Sequence, residues 1–189
     1  MNNIKVGYQG LEGSNAEVAA RKFFKGTSKD VEFIPLISSK NCIDTLNKND
    51  VDFIVCAIKN SIAGIVQETK DAIKNENVVL LKTVTIPIHH CIFAYKDFDI
   101  KNAKFIASHI QALKQTGNYR KKHFNDLKEV EIADTALAAK MLANKELDSN
   151  TLIICRKNAG ELYGLKLICE NIEDEKSNKT NFGLFTLKK

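Results

Sequence analysis

With 189 residues, 44% of them hydrophobic and 27% charged, the chain suits one domain or two small lobes and excludes wholesale disorder. The net charge of +5 is carried by scattered lysines, with local densities at Arg120-Lys121-Lys122 and Lys188-Lys189; this lacks the one-faced, aromatic-interleaved pattern of a nucleic-acid binder and suits an anionic small substrate. The five cysteines form no C-x-x-C pair and sit mostly in apolar runs, which excludes a disulfide frame and a zinc site and points to reduced thiols in a cytoplasmic protein.

Met1-Asn2-Asn3 leads straight into an apolar strand, Ile4 to Tyr8, so no signal peptide is expected. The strand ends in Gln9-Gly10-Leu11-Glu12-Gly13-Ser14-Asn15, and an amphipathic helix follows over Ala16 to Phe24. Ser14 or Asn15 is its expected N-cap, where exposed amides can receive a carboxylate. Neither G-x-G-x-x-G nor the P-loop pattern is present, which argues against a dinucleotide or P-loop site.

Val31 to Ile37 reads as a strand, and Ser38 or Ser39 caps a helix over Asn41 to Lys48. Val51 to Ile58 is apolar throughout but for Asp52, as in a buried parallel strand, and opens onto Lys59-Asn60-Ser61. Open α/β sheets place ligands at such carboxyl ends. Gln67 to Asn75 is expected to be a helix, and Val78 to Thr85 a strand. Pro87 changes the register before His89-His90, an adjacent pair that would point to opposite faces of a strand and so could not chelate one metal together.

Cys91 to Tyr95 and Ala103 to Ala107 are expected strands, the second opening onto Ser108-His109. One helix is expected from there through Phe124, with Gln111 and Gln115 on a single face. Val130 to Ala133 is a short strand, and Asp134-Thr135 caps an alanine-rich helix over Ala136 to Asn144. Thr151 to Cys155 is a strand, Ala159 to Tyr163 a helix stopped by Gly164, and Leu165 to Ile172 extended. The chain closes on Asn178-Lys179-Thr180-Asn181, a polar knot running into the apolar Phe182 to Phe185. No apolar stretch approaches the roughly 18 residues of a membrane span.

The alternation of strand and helix predicts an α/β fold with mainly parallel sheets. Residues 1–86 with 175–189 form one expected lobe and 87–174 the other. The last strand crosses back to the first lobe and leaves Thr180 beside the hinge of a cleft. Ser14, Asn60-Ser61, Ser108 and Thr135 mark strand-to-helix corners facing that cleft.

Those corners, in this order, resemble the prephenate dehydratase family over nearly the whole chain. Val6 to Ser14 is similar to its Y-x-G-x-x-G-[ST] opening, Ala57 to Ser61 to P-I-E-N-S, and Pro87 to His90 to L-P-I-x-H. Ser108 to Gln115 is similar to S-H-P-Q-A-L-x-Q, Asp134-Thr135-Ala136 to S-T-A, Leu162 to Leu165 to Y-G-L, and Asn178 to Phe182 to N-x-T-R-F.

The resemblance implies a two-lobed fold akin to type II periplasmic binding proteins, with a dianionic small molecule, prephenate, bound in the cleft between the lobes. The reaction it implies is decarboxylating dehydration of prephenate to phenylpyruvate in phenylalanine biosynthesis, without metal or organic cofactor. Thr180 would be the acid, with Ser14, Asn60, Ser61, Ser108, Gln115 and Thr135 as substrate contacts. No nucleic-acid or membrane partner is implied, and the family favours a homodimer. The family's C-terminal ACT domain has no counterpart before the chain stops after Lys189, so an unregulated enzyme is expected.

Two positions depart from the family pattern. Lys59 stands where the family has glutamate, and Asn181 where it has arginine. Arginine offers a carboxylate a two-pronged fork that asparagine lacks. Both are expected in the substrate site, with Lys59 supplying the positive charge that Asn181 lost. Two other readings stay open on this ground: a binding protein of the same fold that holds an anionic metabolite without reacting it, and a prephenate decarboxylase that does not aromatise its product.

Overall fold

A computed structural model describes residues 3–74 and 76–188; Met1-Asn2, the expected helix end at Asn75, and Lys189 lie outside the described residues. Two compact units emerge, Met1–Pro87 with Lys179–Lys189, and Ile88–Asn178. The sequence placed the second crossing at 174/175. Residues 175–178 instead go with the second unit, because the Asn178 carbonyl accepts from Ile88 N–H at 2.9 Å and its side-chain amide donates to Gln115.

The first unit runs β1 (Ile4–Tyr8), α1 (Asn15–Phe23), β2 (Val31–Pro35), α2 (Ser39–Asn47), β3 (Phe53–Asn60), β4 (Gly64–Ile65), α3 (Gln67–Ala72) and β5 (Val78–Pro87). The second holds β6 (Cys91–Ala94), β7 (Phe105–Ser108), α4 (Ile110–Gln115), α5 (Gly117–His123), β8 (Lys128–Glu131), α6 (Thr135–Ala143), β9 (Thr151–Cys155), α7 (Lys157–Leu162) and β10 (Lys166–Cys169). β11 (Lys179–Leu187) belongs to the first unit again.

In the first unit the strand order is β2-β1-β3-β11-β5, with β4 on β3. β1, β2 and β3 are parallel, whereas β11 lies antiparallel between β3 and β5. The second sheet, ordered β10-β6-β9-β7-β8, is also mixed, with β7 parallel to β8 and β9 and with β6 antiparallel to β9 and β10. The expectation of mainly parallel sheets is therefore corrected. A short apolar run fixes that a strand is buried, not which way its neighbour runs.

Helices cover both faces of the first sheet. Ala16, Ala19 and Ala20 of α1 pack with Val6, Tyr8, Val55, Ile86, Phe182 and Leu184. Cys42, Ile43 and Leu46 of α2 pack with Ile54, Cys56 and Phe185 on the other side. The period-2 split of β11 between these clusters follows from the pleat. In the second unit, Ile92, Ile106, Leu152 and Ile154 share a core with Ala112 and Leu113 of α4. All five thiols are free, and Cys42, Cys56, Cys91 and Cys155 are buried.

The loop before α1 is built on positive-φ glycines, Gly10 (φ 91) and Gly13 (φ 86), a conformation that side-chain-bearing residues resist. A backbone bridge from Gly10 to Ile37 ties this loop to the end of β2. The expected single helix from Gln111 to Phe124 is broken in two at Thr116. The Asp174 carboxylate accepts from Asn118 N–H and Tyr119 N–H at 2.9 Å each, giving α5 an N-terminal cap from a distant segment and letting it start afresh.

Candidate active site

In the first unit the polar centre lies where β3 ends and β11 begins. Thr180 and Asn60 are register partners across that ladder, 7% and 8% exposed. Asn60 Nδ2 donates to Thr180 Oγ1 at 2.9 Å and to the Lys179 carbonyl at 3.2 Å. Asn60 Oδ1 accepts from Ile62 N–H at 3.0 Å and Ala63 N–H at 2.9 Å. Backbone amides only donate, so this turn fixes which end of the Asn60 side chain is oxygen. Thr180 Oγ1 must then accept from Asn60, and its own proton points elsewhere. A hydroxyl held this way is a hydrogen-bond donor to whatever meets it.

A β-bulge puts Asn60 on that face. The ladder pairs Asn181 with Lys59 and then Phe182 with Ala57, so Ile58 is an extra residue in β3. Strict alternation would turn Asn60 to the same side as Ile58, which packs on the α2 cluster. The bulge shifts the phase by one, the way such irregularities re-aim side chains beside functional sites. Ser61 fixes the entry to β11 with both its groups: its N–H donates to the Lys179 carbonyl at 2.8 Å, and its Oγ accepts from Lys179 N–H at 3.0 Å.

The same phase shift sets where Lys59 and Asn181, both expected in the substrate site, project. They pair with each other and lie on the sheet face opposite Thr180 and Asn60, both exposed. Asn181 Oδ1 accepts from the Thr85 hydroxyl at 2.7 Å. Neighbouring positions on a strand project to opposite sides, so adjacency to Thr180 in the chain separates Asn181 from it in space.

Ser14 is the N-cap of α1, its Oγ accepting from Glu17 N–H at 3.3 Å, while Glu17 Oε2 accepts from Gly13 N–H at 2.6 Å. This is a variant of the capping box, in which the Glu three residues after Ser14 reaches the amide of Gly13 instead of the cap's own, and the Ser-x-x-Glu signal for it was missed in the sequence reading. Two of the amides expected to receive a carboxylate are thus occupied by the chain's own groups.

Ser108, Gln115 and Thr135 lie in the second unit. Ser108 is fully buried and donates to the Ile154 carbonyl at 2.6 Å. Its hydroxyl therefore braces β7 against β9, with its one proton committed to that carbonyl. Thr135 is the half-buried first residue of α6, with Asp134 as the cap accepting from Ala136 and Leu137 N–H at 2.9 Å each. Burial pushes the Asp134 carboxyl up, against the pull of those amides and of His109.

Gln115 sits in a network that the sequence did not show. Its Oε1 is 2.9 Å from His90 Nε2 and 2.9 Å from Asn178 Nδ2. His90 N–H donates to Glu173 Oε2 at 3.0 Å, and the His89 ring meets Glu173 Oε1 at 3.0 Å. Burial holds His90 below its ordinary value, opposed by the Gln115 bond, so the ring is favoured neutral. For Glu173, burial pulls upward but the His89 ring and the His90 amide outweigh it, and the carboxyl ends below its ordinary value. Residues 88–90 are not in a strand, so the expected alternation of His89 and His90 is replaced by two separate anchors. Among the described residues no group of three His, Cys, Asp or Glu is arranged to hold a metal ion, and no helix is long and apolar enough to cross a membrane.

The family model described as prephenate dehydratase matches residues 6–189. The chain belongs to the prephenate dehydratase family. The prephenate dehydratase of Methanocaldococcus jannaschii is 35% identical over 181 residues, covering 95% of this chain and 64% of that one. A prephenate dehydratase structure from Arthrobacter aurescens, solved in complex with L-Phe, has a TM-score of 0.84 at 23% identity and covers 98% of this chain and 60% of that one. The fold extends to the ligand-binding component of an ABC-type import system from Staphylococcus aureus, with a TM-score of 0.51 at 16% identity, over 97% of this chain and 66% of that one. The two-lobed α/β class expected from the sequence is thus the class found. The chain spans 42–64% of the length of these curated relatives, plant arogenate dehydratases among them.

The two departures from the prephenate dehydratase pattern, Lys59 and Asn181, fall together on the face away from Thr180. The motif residues Thr180 and Asn60 stay bonded on the other. A family motif written along the chain mixes both faces of a strand, and only the register separates them.

Proposed function

We propose that this protein converts prephenate to phenylpyruvate, with Thr180 as the group that assists departure of the ring hydroxyl. The observation that carries this reading is the one-way bond from Asn60 Nδ2 to Thr180 Oγ1. As the ring carboxylate leaves as carbon dioxide, its bonding electrons enter the ring and the carbon–oxygen bond of the ring hydroxyl breaks. The departing oxygen gathers negative charge and needs a donor to leave as water. Thr180, accepting from Asn60, offers its own proton in that direction. One such preorganised donor is worth about 10²–10³ in rate.

The substrate is a dianion, which fits the net charge of +5. The product is an aromatic 2-oxo acid, the precursor of phenylalanine. The reading also places the protein in the cytoplasm, where five free thiols remain reduced.

Purified protein is to be offered prephenate and, separately, arogenate, with the aromatic product identified. The expected result is phenylpyruvate from prephenate, with turnover lowered about 10²–10³-fold in Thr180→Val. That variant keeps the side-chain shape and loses only the hydroxyl. No aromatic product from the wild-type protein, or undiminished turnover in Thr180→Val, would overturn the reading.

A further inference from the structure

The last rung of the ladder between β3 and β11 is not made by backbone alone. Register sets Lys59 opposite Asn181 and Asn60 opposite Thr180, so Ser61 is the next residue due opposite Lys179. Its N–H donates to the Lys179 carbonyl at 2.8 Å, as a hydrogen-bonded antiparallel pair requires. The return bond differs. Lys179 N–H donates to Ser61 Oγ at 3.0 Å, so a side-chain hydroxyl stands in for the backbone carbonyl of an ordinary rung. The chain has to leave the strand here, because the amides of Ile62 and Ala63 turn back to bond Asn60 Oδ1. Ser61 closes the rung while the backbone departs.

That rung bears on Thr180 in two ways. Hydrogen-bonded pairs in an antiparallel ladder alternate with pairs that are not, and the latter bring their Cα atoms to about 4.5 Å instead of about 5.5 Å. With Ser61 and Lys179 bonded, Asn60 and Thr180 form the close kind of pair, which lets Asn60 Nδ2 reach Thr180 Oγ1 at 2.9 Å. The Lys179 carbonyl also shares a rigid peptide plane with the nitrogen and Cα of Thr180. Two donors hold that carbonyl, Ser61 N–H at 2.8 Å and Asn60 Nδ2 at 3.2 Å. Thr180 is β-branched and has few rotamers open to it, so a fixed backbone carries through to its hydroxyl.

We propose that Ser61 is a positioning residue, which acts through the Lys179 backbone to hold Thr180 at the close approach to Asn60 from which its hydroxyl donates to the leaving oxygen. This rests on the reading of Thr180 as that donor, and it gives Ser61 a role other than the substrate contact expected from its motif. Without the Ser61 hydroxyl, Lys179 N–H loses its acceptor and the ladder frays one residue before the reacting group. Ser61 is exposed, so truncating it opens no cavity in the core, and a loss of turnover reports on the rung.

Two measurements test this. The first, amide hydrogen exchange at Lys179 read by NMR, needs no substrate. Protection is expected in the wild-type protein and in Ser61→Thr, which keeps the Oγ, with exchange at least about tenfold faster in Ser61→Ala. Equal exchange in wild type and Ser61→Ala overturns the proposal. The second is a cycle of Ser61→Ala, Ser61→Thr, Thr180→Val and Ser61→Ala with Thr180→Val, assayed with prephenate. Ser61→Ala should lower kcat about tenfold with KM within about twofold, and Ser61→Thr should recover most of the loss. In the Thr180→Val background the same change should alter kcat by less than about twofold, because Ser61 acts through Thr180. A rise in KM at unchanged kcat would make Ser61 a substrate contact and overturn the proposal, as would equal losses of kcat in both backgrounds. If the wild-type protein converts no prephenate, the functional reading falls, and the exchange measurement still decides whether Ser61 holds the strand before Thr180.

Discussion

Asn60 and Thr180 face each other across β3 and β11, and the 2.9 Å bond between them has a fixed direction. The direction is set outside the pair, by the amides of Ile62 and Ala63, which occupy the Asn60 oxygen. The Asn60 amide and the Thr180 hydroxyl therefore form a short relay in which each group accepts on one side and donates on the other. Placing the pair on one face takes an extra residue in β3, Ile58.

Asn60→Asp tests the direction. A carboxylate still accepts from the Ile62 and Ala63 amides, so the turn survives. It cannot donate to Thr180, and the hydroxyl would instead donate its hydrogen bond to the carboxylate. Prephenate turnover is expected to fall at least about tenfold, with circular dichroism unchanged. Turnover within twofold of wild type would show that the sense of this bond is irrelevant to the reaction.

Lys59→Glu and Asn181→Arg restore the family's residues at both departures. Because these positions lie on the opposite sheet face from Thr180, the double variant is expected to change kcat/KM by less than about threefold and stability by less than about 0.5 kcal/mol. Steady-state kinetics and denaturant melts would check it. A large gain in activity would place these side chains in the substrate site after all.

Gly160→Ala probes the core of the second unit. A methyl group there would run into the ring of Phe93, which is fully buried and has no room to swing aside. Overpacking of this kind costs about 1–3 kcal/mol. Urea unfolding should show a lower midpoint with an unchanged slope.

The pH dependence of stability should show two windows. His90 has its folded value below its ordinary 6.5, so the unfolded chain binds the proton more readily. Its contribution is full above that value and declines as pH falls through it. Glu173 is likewise lowered from 4.5, so its contribution is present above that value and is lost as pH falls through its folded value. Melts from pH 8 to pH 3 should therefore decline in two stages. His90→Phe should remove the upper stage and leave the lower, which separates the two groups.

Much of this protein was legible in order along the chain. Element types follow from apolar period and caps: Ser38 heads α2, Gly164 stops α7 at φ 66, and Thr151–Cys155 is the strand expected. The family followed from seven short motifs in sequence order, with Thr180 and Asn60 in the first rank of residues. Such features are local, and local chemistry decides them. What only the tertiary structure decided is which side each residue faces and what it is already bonded to. The pleat and the Ile58 bulge part Asn181 and Lys59 from Thr180, the Ile154 carbonyl accepts from the Ser108 hydroxyl, and Asp174 and Asn178, distant in sequence, cap α5 and hold Gln115. Those outcomes depend on ladder register and on partners 46 to 63 residues away in the chain. Side-chain direction on a strand has a period of two, so a shift of one residue reverses it.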